Sequence, residues 1–276
     1  MVALFDYDSL IYKSCYRIVD IAQIREWFEL GRDKAWMREK IIEKSVRRLC
    51  DMGDNLFLDL DDVGVRVDHV EYFITAARHS VRKKIDPLYK SHRKPNKWVT
   101  KIRKHLLEAN FAITSDEYEA DDLIYDRAMQ LGEENCVILT MDKDLRQIPG
   151  IHFDYYRPVA KVIDEDGNEK KEKQPCRGLD LVSPDQAKRF FWYQMLTGDH
   201  GDFIKGVPGI GPRRAEKLLN DVETKSLKSK VMSVYFKKFD GLTEFIKNYY
   251  LLKLGTEDRD IEMLEKEFIT ELQQVA

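Results

Sequence analysis

Hydrophobic side chains occur along this chain in two kinds of stretch, which alternate. Short continuous apolar runs predict buried β-strands, and longer stretches with an apolar residue every three or four positions predict helices. The predicted strands are residues 2–5, 70–75, 136–140 and 152–157. The predicted helices are residues 21–52, broken at Gly31, then 116–131, and helical spacing from Ser183 to the end of the chain. This order is typical of an α/β fold with a mostly parallel sheet flanked by helices, followed by an all-helical region.

Turn and capping residues mark the boundaries between these elements. Ser115 is predicted to cap the helix over 116–131, and residues 183–186 (SPDQ) form a capping box with proline at the first helical position. Residues 54–67 are acidic and predict a loop. Residues 160–173, with Asp166 and Gly167 as a turn, predict an exposed hairpin or a flexible loop.

Acidic residues follow two of the predicted strands. Asp6 comes directly after residues 2–5, and Asp142 and Asp144 follow residues 136–140. In α/β sheets, ligands bind at the carboxyl ends of the parallel strands. We therefore expect these carboxylates to meet at one edge of the sheet.

The helix over 116–131 begins with further acids. Glu117 is explained by the helix dipole alone, because acids are favoured near a helix N-terminus. Glu119 and Asp122 lie three residues apart on one helical face, with Asp121 beside them. We therefore count Glu119, Asp121 and Asp122 with the acids at the strand ends.

Residues 82–104 are strongly basic, with Asp86 as the acid among them. Tyr89 and Trp98 are set among the cations, and this mixture suits a phosphate backbone with a base or sugar stacked beside it. Prolines at 87 and 95 oppose one continuous helix, so a loop or arch with helical parts is predicted. A solvated basic face is the alternative. The candidate phosphate contacts are Lys83, Lys84, Lys90, Arg93, Lys94 and Lys97.

Residues 195–219 combine two more acids, Asp199 and Asp202, with a glycine-rich turn and a basic helix. Glycines let a ligand approach the backbone closely, and the N-terminus of a helix attracts phosphate. The stretch thus predicts a clamp for a nucleic-acid backbone, the alternative being an ordinary turn between two core helices. The clamp residues are Gly206, Gly209, Gly211, Arg213, Arg214 and Lys217.

Composition narrows the class of protein. At 276 residues with 43% hydrophobic and 34% charged residues, the chain reads as globular, and neither a membrane-length apolar run nor a signal-peptide layout occurs. The 4 cysteines lack metal or redox spacing, so we expect reduced thiols and a cytoplasmic protein. The net charge of −3 does not suggest a nucleic-acid binder, but the charges are segregated by sign along the chain.

The acids together predict a metal site. Oxygen ligands without cysteine or histidine select Mg²⁺ or Mn²⁺, and two such ions suit phosphodiester hydrolysis. Lys83, Lys90 and Arg93 could stabilise charge on the reacting phosphate. The expected metal ligands are Asp6, Glu119, Asp121, Asp122, Asp142, Asp144, Asp199 and Asp202.

Ordered motifs in this sequence resemble those of the 5′-nuclease superfamily, which includes flap endonucleases, the 5′-nuclease domains of bacterial DNA polymerases, and phage 5′ exonucleases. The phage enzymes are the most similar, and the matches span about residues 2–219. Several motifs in order are far more specific than one alone. The motifs are VALFDYDS, IDPLYKSHRK, EYEADDLI, TMDKDLRQIPG and TGDHGDFIKGVPGIGPRRAEKLL.

The resemblance implies a PIN-like domain over residues 1–180, with a basic arch at about 80–105, and a helix–three-turn–helix DNA-binding domain over 181–276. It implies a first metal cluster of Asp6, Glu119 and Asp121 with Asp122 beside it. A second cluster would comprise Asp142, Asp144, Asp199 and Asp202. It further implies that Lys90 and Arg93 belong to the arch that admits a 5′ end. The turn at 206–211 would hold duplex DNA and, through its carbonyls, a monovalent cation such as K⁺.

One departure from the superfamily stands out. Relatives usually carry another aspartate just after the second strand, where this chain has Ala76 and Ala77. Asp68 precedes the strand and is expected to be too far away. Either the first cluster is one ligand short, or Asp8 or a water takes the place.

The motifs and charges leave three hypotheses about the function of this protein. The first is a structure-specific 5′ nuclease acting on DNA flaps, 5′ ends and forked duplexes, and on RNA in hybrids, in primer or flap processing. The second is a DNA-structure-binding protein of the same fold with weakened catalysis. The third, a PIN-type ribonuclease, is disfavoured by the glycine turn that follows Asp202. We expect a monomer in each case.

Overall fold

A computed structural model describes residues 1–76, 80–157, 159–163, 169–173, 175–239, 241–257 and 270. Its centre is a five-stranded sheet in the order β2-β1-β3-β4-β7, in which β7 is antiparallel to β4 and the other pairs are parallel. Strands β5 and β6 form a separate hairpin. In chain order the strands are β1 (Val2–Asp6), β2 (His69–Phe73), β3 (Cys136–Thr140), β4 (Gly150–Asp154), β5 (Val159–Ile163), β6 (Glu169–Lys173) and β7 (Gly178–Val182).

Helices cover both faces of this sheet. Successive β1 side chains point to opposite faces, so Ala3 and Phe5 pack against α1, α3 and α5, whereas Leu4 packs against α6. Burial on both faces explains the continuous apolar runs of these strands. The helices up to the sheet's last strand are α1 (Tyr7–Cys15), α2 (Ile21–Glu29), α3 (Lys34–Asp62), α4 (Val81–Ile85), α5 (Lys97–Glu108) and α6 (Ala120–Leu131). The predicted α/β class with a mostly parallel sheet is confirmed.

A third core lies among the C-terminal helices. Buried residues of α7 to α10, including Tyr235 and Phe245, pack with Tyr89 from the basic segment. These helices are α7 (Pro184–Thr197), α8 (Pro212–Leu219), α9 (Leu227–Phe239) and α10 (Thr243–Leu252). Within the described ranges, no helix is long and apolar enough to cross a membrane.

Two expectations about the first half of the chain are wrong. Residues 54–67 are predicted to form a loop, but α3 continues to Asp62 because Leu56 and Leu60 lie buried on its inner side, and the loop spans residues 63–67. The helix expected from residue 116 begins at Ala120, and Glu119 caps it. The Ser115 hydroxyl instead accepts the N–H groups of Glu117 and Tyr118, which closes a turn before the helix.

Other boundary predictions are confirmed. Ser183 and Gln186 form the capping box of α7, and Gly31, with φ +71°, separates α2 from α3. Strands β5 and β6 form the hairpin predicted at 160–173, although its turn at 164–168 lies outside the described residues. The basic segment forms α4, a run of turns and α5, as the prolines predict.

Candidate metal centre and nucleic-acid interface

Acids from separate elements line one cleft of about 810 Å³ at the carboxyl edge of the sheet. Asp6 ends β1, and its Oδ2 accepts hydrogen bonds from the hydroxyls of Thr140 (3.0 Å) and Ser9 (3.1 Å). The parallel register of β1 with β3 brings Asp6 and Thr140 to the same edge. The acids that line this cleft are Asp6, Asp8, Glu119, Asp121 and Asp142.

These carboxylates lie close enough to repel one another. Burial, and then the charges of Asp8 and Asp142, raise the pKa of Asp6 to about 7. Burial raises the pKa of Asp121 well above its ordinary value, and Asp142 and Asp6 raise it further. The ionised forms are therefore unfavourable without a cation beside them. Such a set of oxygen donors fits a hard divalent ion.

A second group of acids adjoins the first through Asp142. Burial raises the pKa of Asp144 to about 7, with added repulsion from Asp142 and Asp199. The Asp144 Oδ1 accepts a hydrogen bond of 2.6 Å from the Gln194 side chain. Asp199 is the exception, because Lys143 lies 2.8 Å from its Oδ2 and, against the effect of burial, lowers its pKa. The structure thus brings Asp142, Asp144 and Asp199 together, with Asp202 beside them.

Cations of the basic segment contact both acidic groups. The Lys90 Nζ lies 2.9 Å from Glu119 Oε2 and 3.4 Å from Asp202 Oδ2. Arg93 pairs with Asp202 and donates from Nε to the Gly201 carbonyl at 2.9 Å. Burial opposes ionisation of Glu119, but Lys90 and Arg82 together lower its pKa to about 2. These ion pairs hold the basic segment over the cleft.

No three acidic, histidine or cysteine side chains of the described residues are arranged to hold an ion as they stand. Three of the acids are paired with cations: Glu119 with Lys90, Asp202 with Arg93, and Asp199 with Lys143. The mutually repelling oxygen donors around Asp6 and Asp144 nevertheless suit a divalent ion, which would replace the cations as their partner.

Asp122 does not belong to the cleft, contrary to expectation. Its carboxylate is buried and receives both terminal nitrogens of Arg82, at 2.6 and 2.7 Å. Consecutive helical residues point in different directions, so Asp121 faces the acids of the cleft while Asp122 faces Arg82. Asp122 is thus the partner of a buried arginine.

The glycine-rich stretch forms a tight hairpin between α7 and α8. Strands β8 (Gly198–Asp199) and β9 (Ile204–Lys205) pair, and the N–H of Val207 bonds the Leu196 carbonyl at 2.8 Å. Gly209 has φ +80°, which favours glycine, and Gly211 precedes α8. Arg213, Arg214 and Lys217 are exposed on α8. A backbone turn followed by a basic helix start is a surface suited to phosphate.

Comparison with known proteins agrees with this geometry. A family model described as "5′-3′ exonuclease, N-terminal resolvase-like domain" matches residues 2–173. The chain belongs to this 5′-3′ exonuclease family. The resemblance to the 5′-nuclease superfamily is thereby confirmed.

Individual relatives share part of their length with this chain. A flap endonuclease Xni of Shewanella woodyi is 31% identical over 150 residues, which are 51% of this chain and 54% of the relative. A DNA polymerase I of Rhizobium leguminosarum is 29% identical over 189 residues, 64% of this chain and 17% of the polymerase. The chain thus spans about half the length of the first and a small part of the second.

A solved structure shares the fold over the whole chain. The T5 D15 protein, crystallised with metal ions, superimposes with a TM-score of 0.52 at 13% identity and covers 100% of this chain and 99% of its own. At this identity the likeness concerns the fold alone.

Relatives carry an aspartate at the position of Ala76 or Ala77, just after β2. Ala76 is described, whereas Ala77 lies outside the described residues. Asp68 pairs with the amino terminus at the opposite end of β2, as expected. Asp8 lies nearer, because its Oδ2 accepts the Thr75 N–H at 3.1 Å and its Oδ1 accepts from Arg103 Nε at 2.8 Å. A carboxylate therefore does stand beside the end of β2, supplied by α1.

The stacking role predicted for Tyr89 is wrong. Its ring is buried, and its hydroxyl lies 2.8 Å from both Glu119 Oε2 and Asp202 Oδ2. The tyrosine thus joins acids from two distant parts of the chain, and cannot stack on a base. Four other side chains that contact these acids were not predicted. They are Arg82, Thr140, Lys143 and Gln194. Their signal was weak, because each acts through a partner far away in sequence.

The remaining basic candidates lie around the cleft or beside it. Lys83 and Lys94 line the cleft with Lys90 and Arg93. Lys84 points away and pairs with Glu117 at 3.5 Å on the surface. The Lys97 ammonium lies 5.5 Å from the centre of the Trp98 ring.

The raised pKa values predict how metal-free stability varies with pH. Asp6 and Asp144 have a folded-state pKa of about 7 against an ordinary 3.8, so the folded protein holds protons that the unfolded chain has lost. Their stabilising contribution is complete below about pH 4 and is lost as the pH rises through 7. We expect the melting temperature of EDTA-treated protein to fall by about 5 °C between pH 5 and pH 8.

Scanning calorimetry across this range tests the expectation. Asp6→Asn should flatten the pH dependence, because it removes one titrating group. Added Mg²⁺ should stabilise the protein more at pH 8 than at pH 5, since the ligands must lose their protons to bind it. A melting temperature that rises with pH in EDTA would contradict the close approach of the carboxylates.

The hairpin makes a second prediction, about backbone packing. A Cβ at Gly206 would lie 2.5 Å from the Gly198 nitrogen and closer still to the backbone of α7, whereas a Cβ at Gly211 would meet nothing within 4 Å. Gly206→Ala should therefore lower the free energy of unfolding by about 2–4 kcal/mol, and Gly211→Ala by under about 1 kcal/mol. Urea denaturation of the two variants measures this. Equal losses would show that the hairpin packs differently.

Proposed function

We propose that this protein is a divalent-metal-dependent, structure-specific 5′ nuclease that hydrolyses DNA phosphodiester bonds as a 5′-3′ exonuclease or flap endonuclease, in primer or flap processing. The observation that carries the proposal is the convergence of carboxylates from distant elements beneath a cationic segment. Asp6 comes from the end of β1, Glu119 and Asp121 from the start of α6, and Asp142 from the end of β3. The flap endonuclease relatives support the same activity.

The acids divide into two sets that would hold Mg²⁺ or Mn²⁺. Asp6, Glu119 and Asp121 would form the first set. The second would comprise Asp142, Asp144, Asp199 and Asp202. When bound, such ions supply activation of the attacking water and stabilise charge on the leaving oxygen.

The cations of the cleft have a separate task. Lys90 and Arg93 are paired with Glu119 and Asp202, and a substrate phosphate offers them an equivalent anionic partner. Lys83, which lines the same cleft, would join them on the phosphate. Transfer of these cations from carboxylate to phosphate frees the acids as the substrate arrives. The pairing thus couples substrate binding to assembly of the metal ligands.

Asp8 is proposed to take the place of the absent aspartate. It lines the cleft, bonds the backbone just before Ala76, and its charge contributes to the raised pKa of Asp6. The first set of ligands then keeps its full negative charge. Arg103, which contacts the same carboxylate, would hold it in place.

The hairpin and α8 would hold the duplex part of the substrate. Lys84, Lys94 and Lys97 would extend this surface along the basic arch, at about residues 80–105. The turn at 206–211 would take up K⁺ through its carbonyls. We propose that residues 1–180 form the PIN-like domain and 181–276 the DNA-binding domain, with a monomer as the working unit. Forked DNA, and RNA in RNA/DNA hybrids, are the proposed partners.

Incubation with a labelled 5′-flap duplex tests the proposal. We expect short products with 5′-phosphates in Mg²⁺ or Mn²⁺ and none in excess EDTA. Tight flap binding without turnover would favour the DNA-structure-binding alternative that the alanine at position 76 allows. Faster cleavage of single-stranded RNA than of forked DNA would reject the proposal in favour of a PIN-type ribonuclease.

A further inference from the structure

A second cleft of about 660 Å³ adjoins the acidic one. It lies between α1, α3 and the segment that follows β4. None of the roles proposed above uses it. The residues that characterise it are Tyr12, Lys13, Tyr16, Arg48, Tyr156 and Arg157.

The two clefts share residues of α1. Tyr12 and Lys13 line both of them, so α1 forms a shared wall. Tyr155 also lines the second cleft, and its hydroxyl donates to the Asp6 carbonyl at 3.2 Å. The Lys13 ammonium lies 5.4 Å from the centre of the Tyr155 ring. A strand that leaves the acidic cleft along α1 would therefore pass beside the second cleft.

Three of the four tyrosines that line this cleft are exposed. Tyr12, Tyr16 and Tyr156 are 56%, 63% and 41% exposed, so their rings do little for the core. Guanidinium groups lie near two of these rings, Arg17 at 5.3 Å from Tyr16 and Arg177 at 5.0 Å from Tyr156. Exposed rings beside cations are the surface on which unpaired bases stack.

The charges of this cleft favour an anion. Lys13, Arg48 and Arg157 line it, and the acid among its lining residues is Asp59. Asp59 is held by Arg157 at 2.6 Å, while Arg48 donates to the Tyr16 carbonyl at 2.8 Å, which fixes it beside the exposed ring. Cations alternating with aromatic rings match the alternation of phosphates and bases along a single strand.

We propose that this second cleft binds the single-stranded part of the substrate, with unpaired bases on Tyr16 and Tyr156 and phosphates on Lys13, Arg48 and Arg157. Duplex DNA is a poor occupant, because its bases are already stacked on one another. The inference rests on the proposed function, since it assigns the cleft to a strand that continues from the acidic site. It predicts that a long flap binds through its single strand as well as at its junction with the duplex.

The test compares DNA binding to two substrates. One is a duplex with a labelled single-stranded 5′ flap of about ten nucleotides, and the other is the same duplex without the flap. Binding is followed by fluorescence anisotropy in Mg²⁺, with Asp144→Asn in every protein to prevent cleavage. Tyr16→Ala/Tyr156→Ala is the test variant. Phe28→Ala, which removes an aromatic ring 55% exposed on α2, outside both clefts, is the matched control.

We expect the double variant to bind the flap substrate about tenfold or more weakly, because two stacking contacts are lost. It should bind the flapless duplex within about twofold of its parent. A 2-aminopurine in the flap should be quenched by the parent and not by the variant. Unchanged flap affinity, or an equal loss on both substrates, would overturn the inference. Cleavage by the unmodified protein is scored separately, so absence of nuclease activity would reject the proposed function without deciding this binding result.

Discussion

Asp144→Asn is expected to reduce cleavage of a 5′-flap duplex by about a thousandfold while making the metal-free protein more stable. Asparagine keeps the shape of the side chain and can still accept the hydrogen bond from Gln194. It removes the negative charge of one ligand of the proposed second metal set. We expect this charge to contribute several kcal/mol to the transition state, about three factors of ten in rate.

The gain in stability has the same physical origin. Burial and the charges of Asp142 and Asp199 raise the pKa of Asp144 to about 7, so its ionised form strains the folded protein above that pH. Replacing it by a neutral group should raise the melting temperature in EDTA at pH 8. A substitution that lowers activity but raises stability is typical of a charge that function requires and that destabilises the fold.

Asp180→Asn is the matched control for this experiment. Asp180 is an exposed aspartate paired with Arg146 at 2.5 Å, so its loss should change cleavage by less than about twofold and stability by less than about 1 kcal/mol. Single-turnover rates and thermal melts of the two variants decide the matter. Near-normal cleavage by Asp144→Asn would remove Asp144 from the metal ligands.

The edge where the acids meet could be predicted from the sequence. An apolar run followed by an acid defines a buried strand and the end at which it delivers the carboxylate. The parallel pairing of β1 with β3 then brings Asp6 and Asp142 to the same edge, whatever the details of the helices. The glycine at position 206 also has a local cause, because only a residue without a Cβ fits there.

What could not be predicted is which charge each acid faces. Asp121 and Asp122 are neighbours of identical chemistry, and the side that each faces depends on Arg82, which approaches from another element. Tyr89 lies among cations in the sequence, yet its ring packs with the C-terminal helices. The acidic composition of residues 54–62 predicts a loop for a similar reason. The acids lie on the outer side of α3, and the apolar residues Leu56 and Leu60 lie on its inner side. Long-range packing decided each case.

Arg82→Ala is expected to lower the free energy of unfolding by about 3–5 kcal/mol, because it leaves a buried carboxylate without the cation that it faces. The Arg82 side chain is 4% exposed, and its two terminal nitrogens lie 2.6 and 2.7 Å from the oxygens of Asp122. It also donates to the backbone carbonyls of Leu251, at 2.9 Å, and Lys253, at 3.1 Å. One side chain therefore ties the basic segment to α6 and to the end of α10.

Two further variants separate charge from geometry. Arg82→Lys keeps the charge but loses the planar guanidinium with its several N–H donors. It should recover part of the lost stability, because an ammonium cannot bond both Asp122 oxygens and the two carbonyls at once. Arg127→Ala is the matched control, because Arg127 makes a comparable forked contact with Glu71, at 2.7 and 2.8 Å, but is 36% exposed. It should lower the stability less than Arg82→Ala does, because water can reach the site that Arg127 leaves.

Equilibrium denaturation in urea distinguishes the possible outcomes. If Arg82→Ala costs no more than Arg127→Ala, the buried fork does not hold the C-terminal helices to α6. If Arg82→Lys is as stable as the unmodified protein, charge alone suffices and the bonds to the α10 carbonyls contribute nothing. The expected order of stability, unmodified protein above Arg82→Lys above Arg82→Ala, follows because desolvated charges need both a partner and satisfied hydrogen bonds. Glu119, 3.3 Å from the same guanidinium, would then be positioned by an arginine that does not itself line the acidic cleft.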